Sequence, residues 1–398
     1  FFGVINLNHS KLLNNLPKQF FASLVQKVNQ SISNGHDVIN LGQGNPDQPT
    51  PDHIIKALQK SVENPLTHRY SPFRGMSSLK NAVVEFYKRE YDVDLDPEEE
   101  VAILFGGKAG LVELPLCLCD EGDTILVPDP GYPDYLSGIS LSKTVSYMLP
   151  LLEENRFLPD YKLIPQDVLD ASKILFINYP NNPTGAIATE EFFKETVELA
   201  KNNQITVCHD FAYGAFGFDG KKPLSYLQTP GAKECGIEIY TLSKTYNMAG
   251  WRIGFAVGNK EIISAINLLQ DHLYVSIFPA VQEAAAVALT ESQESVKQLL
   301  ALYEERRNVF ISGCQEIGWE VTAPAGSFFA WLKIPSGFTS QEFADLLLEK
   351  AHIAVAPGNG FGEYGEGYVR VGLLSDIDRL KEAVARLKEI EIFSKFNV

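Results

Sequence analysis

Lys244 is the residue best placed to do covalent chemistry in this chain. It sits in the segment Thr241-Leu-Ser-Lys-Thr-Tyr-Asn-Met-Ala-Gly-Trp-Arg-Ile-Gly254, directly after the apolar run Ile237–Thr241. Burying an ammonium group is costly, so the pKa of such a lysine falls. Its neutral amine can then condense with an aldehyde to form a Schiff base. Thr241 and Ser243 set hydroxyl donors beside it, and Arg252 is a natural partner for a phosphate. The plain alternative is a snorkelling lysine and a surface arginine at a strand–helix corner, and the segment alone leaves both open.

Other short segments add polar groups, each just after an apolar run. Cys208-His-Asp-Phe-Ala-Tyr213 offers Asp210, an acid able to pair with a protonated ring nitrogen and keep it positive. Tyr213 can donate to a phenolate oxygen, and His209 is read as structural or stacking. Asp210 could equally be a helix N-cap. Asn178-Tyr-Pro-Asn-Asn-Pro-Thr-Gly185 is a rigid loop that presents the Asn182 amide. Phe105-Gly-Gly-Lys-Ala-Gly110 joins a strand-like run to a helix start, where free backbone N–H groups can hold a phosphate, although a Gly-rich turn is weak evidence alone. Pro128-Asp-Pro-Gly-Tyr-Pro-Asp-Tyr135 offers Tyr132 as a surface for a flat ring. Gly365-Glu-Gly-Tyr-Val-Arg-Val-Gly372 places Arg370 inside a strand-like run, either facing solvent or clamping a carboxylate.

Elements with a recognisable pattern must position these groups. Short Val- and Ile-rich runs lie at Val101–Phe105, Thr124–Val127, Ile174–Ile177, Ile205–Cys208, Ile237–Thr241 and Phe255–Val257. Their lack of clear alternation suits strands covered on both faces. Helical patterns intervene at Ser78–Glu90 and Glu190–Ala200, so residues 45–280 read as a mostly parallel sheet wrapped by helices. The last third changes to an α+β pattern. It contains a long helix over Ser292–Ile317, a strand over Ser327–Ile334, a helix over Ser340–Ala351 and a strand over Tyr368–Leu373. Leu16 to Ile39 is helical in pattern and can join either lobe.

Composition narrows the class of function. The 398 residues are 45% hydrophobic and 21% charged, a globular balance. With 34 Lys+Arg against 50 Asp+Glu, the net charge of −16 argues against nucleic acid or an anionic membrane as partner. No apolar stretch approaches the ~20 residues of a membrane span. Five cysteines, an odd and scattered set, form no disulfide framework. Cys117 and Cys119 have apolar flanks and read as packing rather than a metal site. The opening Phe1-Phe-Gly-Val-Ile-Asn-Leu7 has no basic n-region. The expectation is a cytoplasmic protein without a bound metal.

The order of these motifs resembles that of the class I/II aminotransferases, fold type I, over nearly the whole chain. The family's Ser/Thr-x-Ser-Lys…Gly-x-Arg-x-Gly pattern is matched by Thr241, Ser243, Lys244, Gly250, Arg252 and Gly254. Asn182, Pro183 and Gly185 match its Asn-Pro-x-Gly loop, Asp210 and Tyr213 its Asp-x-x-Tyr, and Arg370 its carboxylate-binding arginine. Gly44, in Leu41-Gly-Gln-Gly-Asn-Pro-Asp47, resembles its N-terminal substrate-binding glycine. Tyr70, in His68-Arg-Tyr-Ser-Pro-Phe-Arg-Gly75, resembles its tyrosine that reaches the neighbouring subunit's phosphate. Two features depart from the family. Its phosphate turn often has Ser or Thr where this chain has Gly107-Lys-Ala109, so backbone groups and Lys108 would do that work. The second, partner-chain arginine of aspartate-specific members has no secure equivalent.

The resemblance implies an α/β fold type I chain, with a large domain over 45–285 and a small domain from 16–44 and 286–398. Residues 1–15 would form an N-terminal arm. It implies pyridoxal 5'-phosphate on Lys244, with Gly107, Lys108, Ala109, Tyr132, Asn182, Asp210, Tyr213, Thr241, Ser243, Arg252 and a neighbour's Tyr70 around it. Gly44, Asn182 and Arg370 would hold substrate. An amino group would pass between an amino acid and a 2-oxo acid with ping-pong kinetics, in a homodimer that shares its sites. Leu16–Ala22 and Ile39–Asp47 resemble the methionine-salvage branch, which uses glutamine and 4-methylthio-2-oxobutanoate. Phe20 and Phe21 would then close an apolar pocket or simply pack a helix face. Aspartate and diaminopimelate transaminases share the frame. A fold-type-I β-lyase, or an aminotransferase-like binding module, are the readings from other classes.

Overall fold

The computed structural model describes residues 8–17 and 20–393. Residues 1–7 of the expected N-terminal arm, and Lys18 and Gln19 of the Leu16–Ala22 segment, lie outside the described residues.

A seven-stranded sheet forms the centre. Across it the strands run Val101–Leu104, Gly254–Gly258, Gly236–Thr241, Thr206–Asp210, Ser172–Asn178, Thr124–Asp129 and Val145–Pro150. Only Gly254–Gly258 runs antiparallel to its neighbours. The apolar runs lack alternation because both faces are covered. Val101 and Ile103 join the core on one face, while Ala102 and Leu104 join the core on the other. Helices Ser77–Tyr91, Glu190–Asn203 and Pro279–Thr290 pack on the first face, and Gly107–Leu118 with Lys260–Leu273 on the second. Six of these strands coincide with the expected runs. The seventh, Val145–Pro150, is an edge strand whose residues are mostly half-exposed, so it has no apolar run to mark it.

The remaining elements gather around a second core. Strands Phe329–Lys333, Tyr368–Gly372 and Ala356–Pro357 form an antiparallel sheet. Helices Glu294–Glu316, Ser340–Ala351 and Ile377–Glu389 cover it, burying Phe310, Phe343, Leu347, Val369 and Leu380 together. The helix Phe20–Ser33 packs on this part of the molecule. Phe20, Phe21 and Leu24 meet Trp331 and Phe361, and Lys27 pairs with Asp345 at 2.6 Å. Ile39–Asn40 then pairs in parallel with Ile353–Ala354. That pairing sets the path of the following loop, which carries Gly42 and Gly44. No described helix is long and apolar enough to cross a membrane. Cys117 and Cys119 pack against the second-face core, and no metal-binding cluster occurs among the described residues.

Candidate active site

The C-terminal ends of parallel strands, where an open α/β sheet leaves backbone groups unpaired, converge on one cleft. Asn178, Asp210 and Thr241 each close a strand, and helix Gly107–Leu118 begins three residues beyond Leu104. The cleft has a volume of about 160 Å³. Its walls include Gly107, Lys108, Tyr132, Asn182, Asp210, Tyr213, Thr241, Ser243, Lys244 and Arg252. Ten residues chosen from sequence, scattered over 146 positions, therefore share one wall.

Lys244 lies on the four-residue helix Leu242–Thr245, whose start is capped by the Thr241 hydroxyl accepting from the Ser243 amide. Its Nζ donates to the carbonyl of Gly44 at 3.1 Å and lies 5.7 Å from the Phe328 ring. Burial, followed by the positive charges of Arg370 and Arg252, brings its pKa down to about 8, with Asp210 acting in the opposite direction.

Asp210 also lines the cleft. Tyr135 donates to its Oδ2 at 2.8 Å, and the Asn178 amide donates to its backbone carbonyl at 2.7 Å. Burial raises the Asp210 pKa; the Tyr135 hydrogen bond, the charge on His209, the Ala212 amide and Lys244 oppose that rise. His209 points away from the cleft into a fully buried network. Its Nδ1 meets Glu238 at 2.7 Å and its Nε2 meets the Tyr179 carbonyl at 2.9 Å. Tyr213 packs edge-on against Phe328 and Phe329, and burial raises its hydroxyl pKa.

Arg252 takes up a left-handed backbone conformation at φ 55°. Among the described residues its guanidinium donates only to carbonyls, at Ala249 (2.8 Å) and Phe105 (3.3 Å). A Cβ at position 106 would fall 2.4 Å from Arg252 Nη2, so Gly106 gives this side chain its room. Lys108 bonds to Asp134 at 2.9 Å on the rim, and the Ala109 amide donates to Gly106. The first amides of the helix beginning at Gly107 have no acceptor within it.

Arg370 is buried beside the cleft. Nη1 donates to Asn182 Oδ1 at 2.9 Å and Nη2 to the Gly42 carbonyl at 3.0 Å, while Nε has no hydrogen-bond partner among the described residues. Its guanidinium carbon lies 4.0 Å from the Phe329 ring, 4.7 Å from Phe361 and 5.2 Å from Phe21. A Cβ on Gly44 would approach Phe329 to 3.2 Å and Arg370 Nη2 to 3.7 Å. Tyr70 stands apart from the cleft and is 85% exposed.

Sequence reasoning passed over two contributors, although both lie in segments it singled out. Tyr135 reaches Asp210, and Asn178 holds both the Asp210 carbonyl and, through Oδ1, the Asn182 amide at 2.8 Å. A buried Asn at the end of an apolar run is the signal that could have marked Asn178.

The donor set suits a flat aldehyde carrying a phosphate at one end and a basic ring nitrogen at the other. Arg252, Thr241 and the Gly107 helix start lie close together, and Ser243, Lys244 and Asp210 line the same cleft.

Residues 36–387 match the family described as aminotransferase class I and II. The chain is 64% identical, over 99% of each chain, to the L-glutamine--4-(methylsulfanyl)-2-oxobutanoate aminotransferase of Bacillus subtilis (strain 168). It is 44% identical to the LL-diaminopimelate aminotransferase of Moorella thermoacetica, covering 96% of this chain and 98% of that one. The solved apo structure of BacF from Bacillus subtilis superposes with a TM-score of 0.94 at 47% identity, over 98% of this chain and 99% of that one. That family is pyridoxal-phosphate-dependent and has the same helix-flanked, mostly parallel sheet. The chain belongs to the class I and II aminotransferases and is an aminotransferase of fold type I.

Proposed function

We propose that this aminotransferase binds pyridoxal 5'-phosphate at Lys244 and moves the amino group of glutamine to 4-(methylsulfanyl)-2-oxobutanoate. One observation carries the site reading. Lys244, Arg252 and Arg370 line or border one cleft, and none has a carboxylate ion-pair partner among the described residues, although the chain's net charge is −16. Cations held without counter-ions in a partly desolvated site favour anionic ligands. Here these are a phosphate beside Arg252 and an α-carboxylate beside Arg370.

Bound there, pyridoxal phosphate supplies an electron sink for a carbanion formed at the substrate's Cα. The Lys244 amine takes the proton from that carbon, a task suited to a pKa near neutrality. Asp210 holds a proton on the ring nitrogen. Arg370, fixed by Asn182, orients the carboxylate. The unpartnered Arg370 Nε and the rings of Phe21, Phe329 and Phe361 leave an aromatic enclosure beside that clamp. Phe20 and Phe21 pack edge-on against Phe361 at 5.9 and 5.8 Å, an apolar surrounding suited to a thioether.

A homodimer with shared sites is part of the proposal. Leu66, Tyr70 and Phe73 are exposed, and the Ser71 hydrogen bonds to Ser276 and Ile277 bring them beside exposed Val275 and Phe278. Tyr274 in turn touches Phe105, whose carbonyl binds Arg252. The apolar patch therefore borders the phosphate end of the cleft. We assign residues 45–285 to the large domain and 16–44 with 286–398 to the small one, supported by the two separate cores. The five unpaired cysteines agree with a cytoplasmic location.

The visible spectrum of the holoenzyme, titrated in turn with glutamine, methionine, aspartate and diaminopimelate, tests the reading. Bleaching of the cofactor band by glutamine and methionine, with release of the matching 2-oxo acids, is expected. Bleaching only by aspartate or diaminopimelate would overturn the substrate assignment. Pyruvate and ammonia from cystathionine as the main products would replace it with a C–S lyase. Failure to bind the cofactor would remove the role of Lys244.

A further inference from the structure

A carboxylate is costly to bury without a cation beside it, and Asp129 is buried in this way. It closes the strand Thr124–Asp129, is 1% exposed, and has no ion-pair partner among the described residues. Its oxygens accept instead from two backbone amides more than 230 residues later. The Glu363 amide donates to Oδ2 and the Tyr364 amide to Oδ1, both at 3.1 Å. Burial raises the Asp129 pKa, and these two hydrogen bonds oppose the rise, while the charge on Glu363 adds to it.

The segment that supplies these amides fits closely around the carboxylate. Gly362 lies between Phe361 and the two donors at φ 136°, and a Cβ there would fall 1.9 Å from Asp129 Oδ1. Only glycine lets the chain wrap the carboxylate at this point. A third hydrogen bond joins the same two segments, from the Gly131 amide to the Phe361 carbonyl at 2.8 Å. The side chains of Glu363 and Tyr364 are exposed, so it is their amides that anchor this stretch to the interior. Each of the joined segments carries a residue of the site. Tyr132, next after Gly131, lines the Lys244 cleft. Phe361 stands 4.7 Å from the Arg370 guanidinium and meets Phe20, Phe21 and Trp331 edge-on at 5.9, 5.8 and 5.8 Å.

We infer that Asp129 is a positioning residue for substrate: it clasps segment 361–364 to the loop of Tyr132 and so holds Phe361 as a wall of the enclosure beside Arg370. The inference rests on the reading of Arg370 as the clamp for the substrate carboxylate. In a ping-pong cycle the amino acid and the 2-oxo acid occupy that enclosure in turn, so the clasp serves the binding of both. It touches no reacting atom. An interaction lost equally from the ground state and the transition state raises KM and leaves kcat in place. Asparagine at position 129 keeps one acceptor oxygen but turns an N–H toward the other amide, which opens the clasp at constant size.

Two measurements on the holoenzyme test this: hydrogen exchange followed by mass spectrometry without substrate, and steady-state kinetics. Both are made on Asp129→Asn and on Gly362→Ala, which pushes the segment off the carboxylate from the other side and decides the matter if the asparagine variant does not fold. Segment 361–364 should exchange about tenfold faster, and the KM values for glutamine and for 4-(methylsulfanyl)-2-oxobutanoate should both rise about tenfold. The cofactor band should be unchanged and kcat should stay within about twofold. Unchanged exchange would overturn the clasp. Faster exchange with unchanged KM values, or a loss carried by kcat or by the cofactor band, would overturn its role in holding the enclosure. Failure of the substrate reading looks different, because glutamine would then not bleach the wild-type protein. The kinetic comparison is in that case made with the donor that does, and the same outcomes decide.

Discussion

The Nζ of Lys244 donates to the carbonyl of Gly44, 200 residues earlier in the chain, at 3.1 Å. This bond ties the amine to the loop that also supplies the Gly42 carbonyl to Arg370. A carbonyl acceptor stabilises the ammonium form less than a carboxylate would, so burial and the neighbouring arginines prevail and the pKa stands at about 8. The neutral, reactive amine is therefore populated above about pH 8, below the ordinary lysine range. In cofactor-free protein, the rate at which Lys244 captures pyridoxal phosphate should rise with pH up to about 8 and then level off. Stopped-flow absorbance at a series of pH values measures it, and a rate still rising steeply beyond pH 9.5 would contradict this origin of reactivity. Lys244→Ala should abolish turnover.

Tyr135 supplies the charge-stabilising hydrogen bond to Asp210. Burial raises the Asp210 pKa and this bond lowers it, so Tyr135→Phe should raise it further. As pH falls, ionised Asp210 would then be lost sooner, and the acid limb of the kcat profile should move upward. One hydrogen bond to a charged group contributes roughly 1.5–3 kcal/mol, or about one to two pH units. An acid limb left in place would show that Asp210 is held ionised by something other than Tyr135.

Much of this site was legible in sequence because its residues follow apolar runs, and in a parallel sheet such positions gather at one edge. Lys244, Asp210 and Asn182 share that edge for this reason. Tyr135 and Asn178 escaped notice because their roles depend on registration between strands. Asn178 reaches Asp210 because the two residues are paired across adjacent parallel strands, and nothing local in either segment specifies that pairing. The edge strand Val145–Pro150 was missed for a related reason, since a half-exposed strand needs no continuous apolar run. The Arg370 alternatives of clamp and solvent-facing residue are separated by burial: only 2% of it is exposed, among aromatic rings.

Arg370→Lys keeps the charge but loses the planar fork. The bonds to Asn182 and Gly42 that hold the guanidinium in place cannot both be reproduced by one ammonium group. Loss of one charge-assisted bond to the substrate carboxylate is expected to reduce kcat/KM for glutamine roughly 10- to 100-fold, about 1.5–3 kcal/mol. The cofactor's absorbance should be unchanged, because Arg370 is not among the residues lining the Lys244 cleft and borders it through Asn182. Steady-state kinetics and the spectrum together check this, and a variant that loses the cofactor instead would place Arg370 at the wrong ligand.

Tyr70 poses the opposite problem, an aromatic residue 85% exposed and outside its own chain's cleft. If it completes a partner's phosphate site, Tyr70→Ala should be strongly impaired although it alters nothing in its own cleft. Lys244→Ala is inactive for an unrelated reason. Mixing the two inactive variants under conditions that allow subunit exchange yields hybrids in which one site has both Lys244 and a partner's Tyr70 intact. Activity should then rise to about a quarter of the wild-type level, because half of the dimers are hybrids and each has one working site of two. A residue serving its own chain's cleft gives a different result, since every site in the mixture would lack one group and no activity would return. A fully active Tyr70→Ala variant would likewise remove it from any phosphate site.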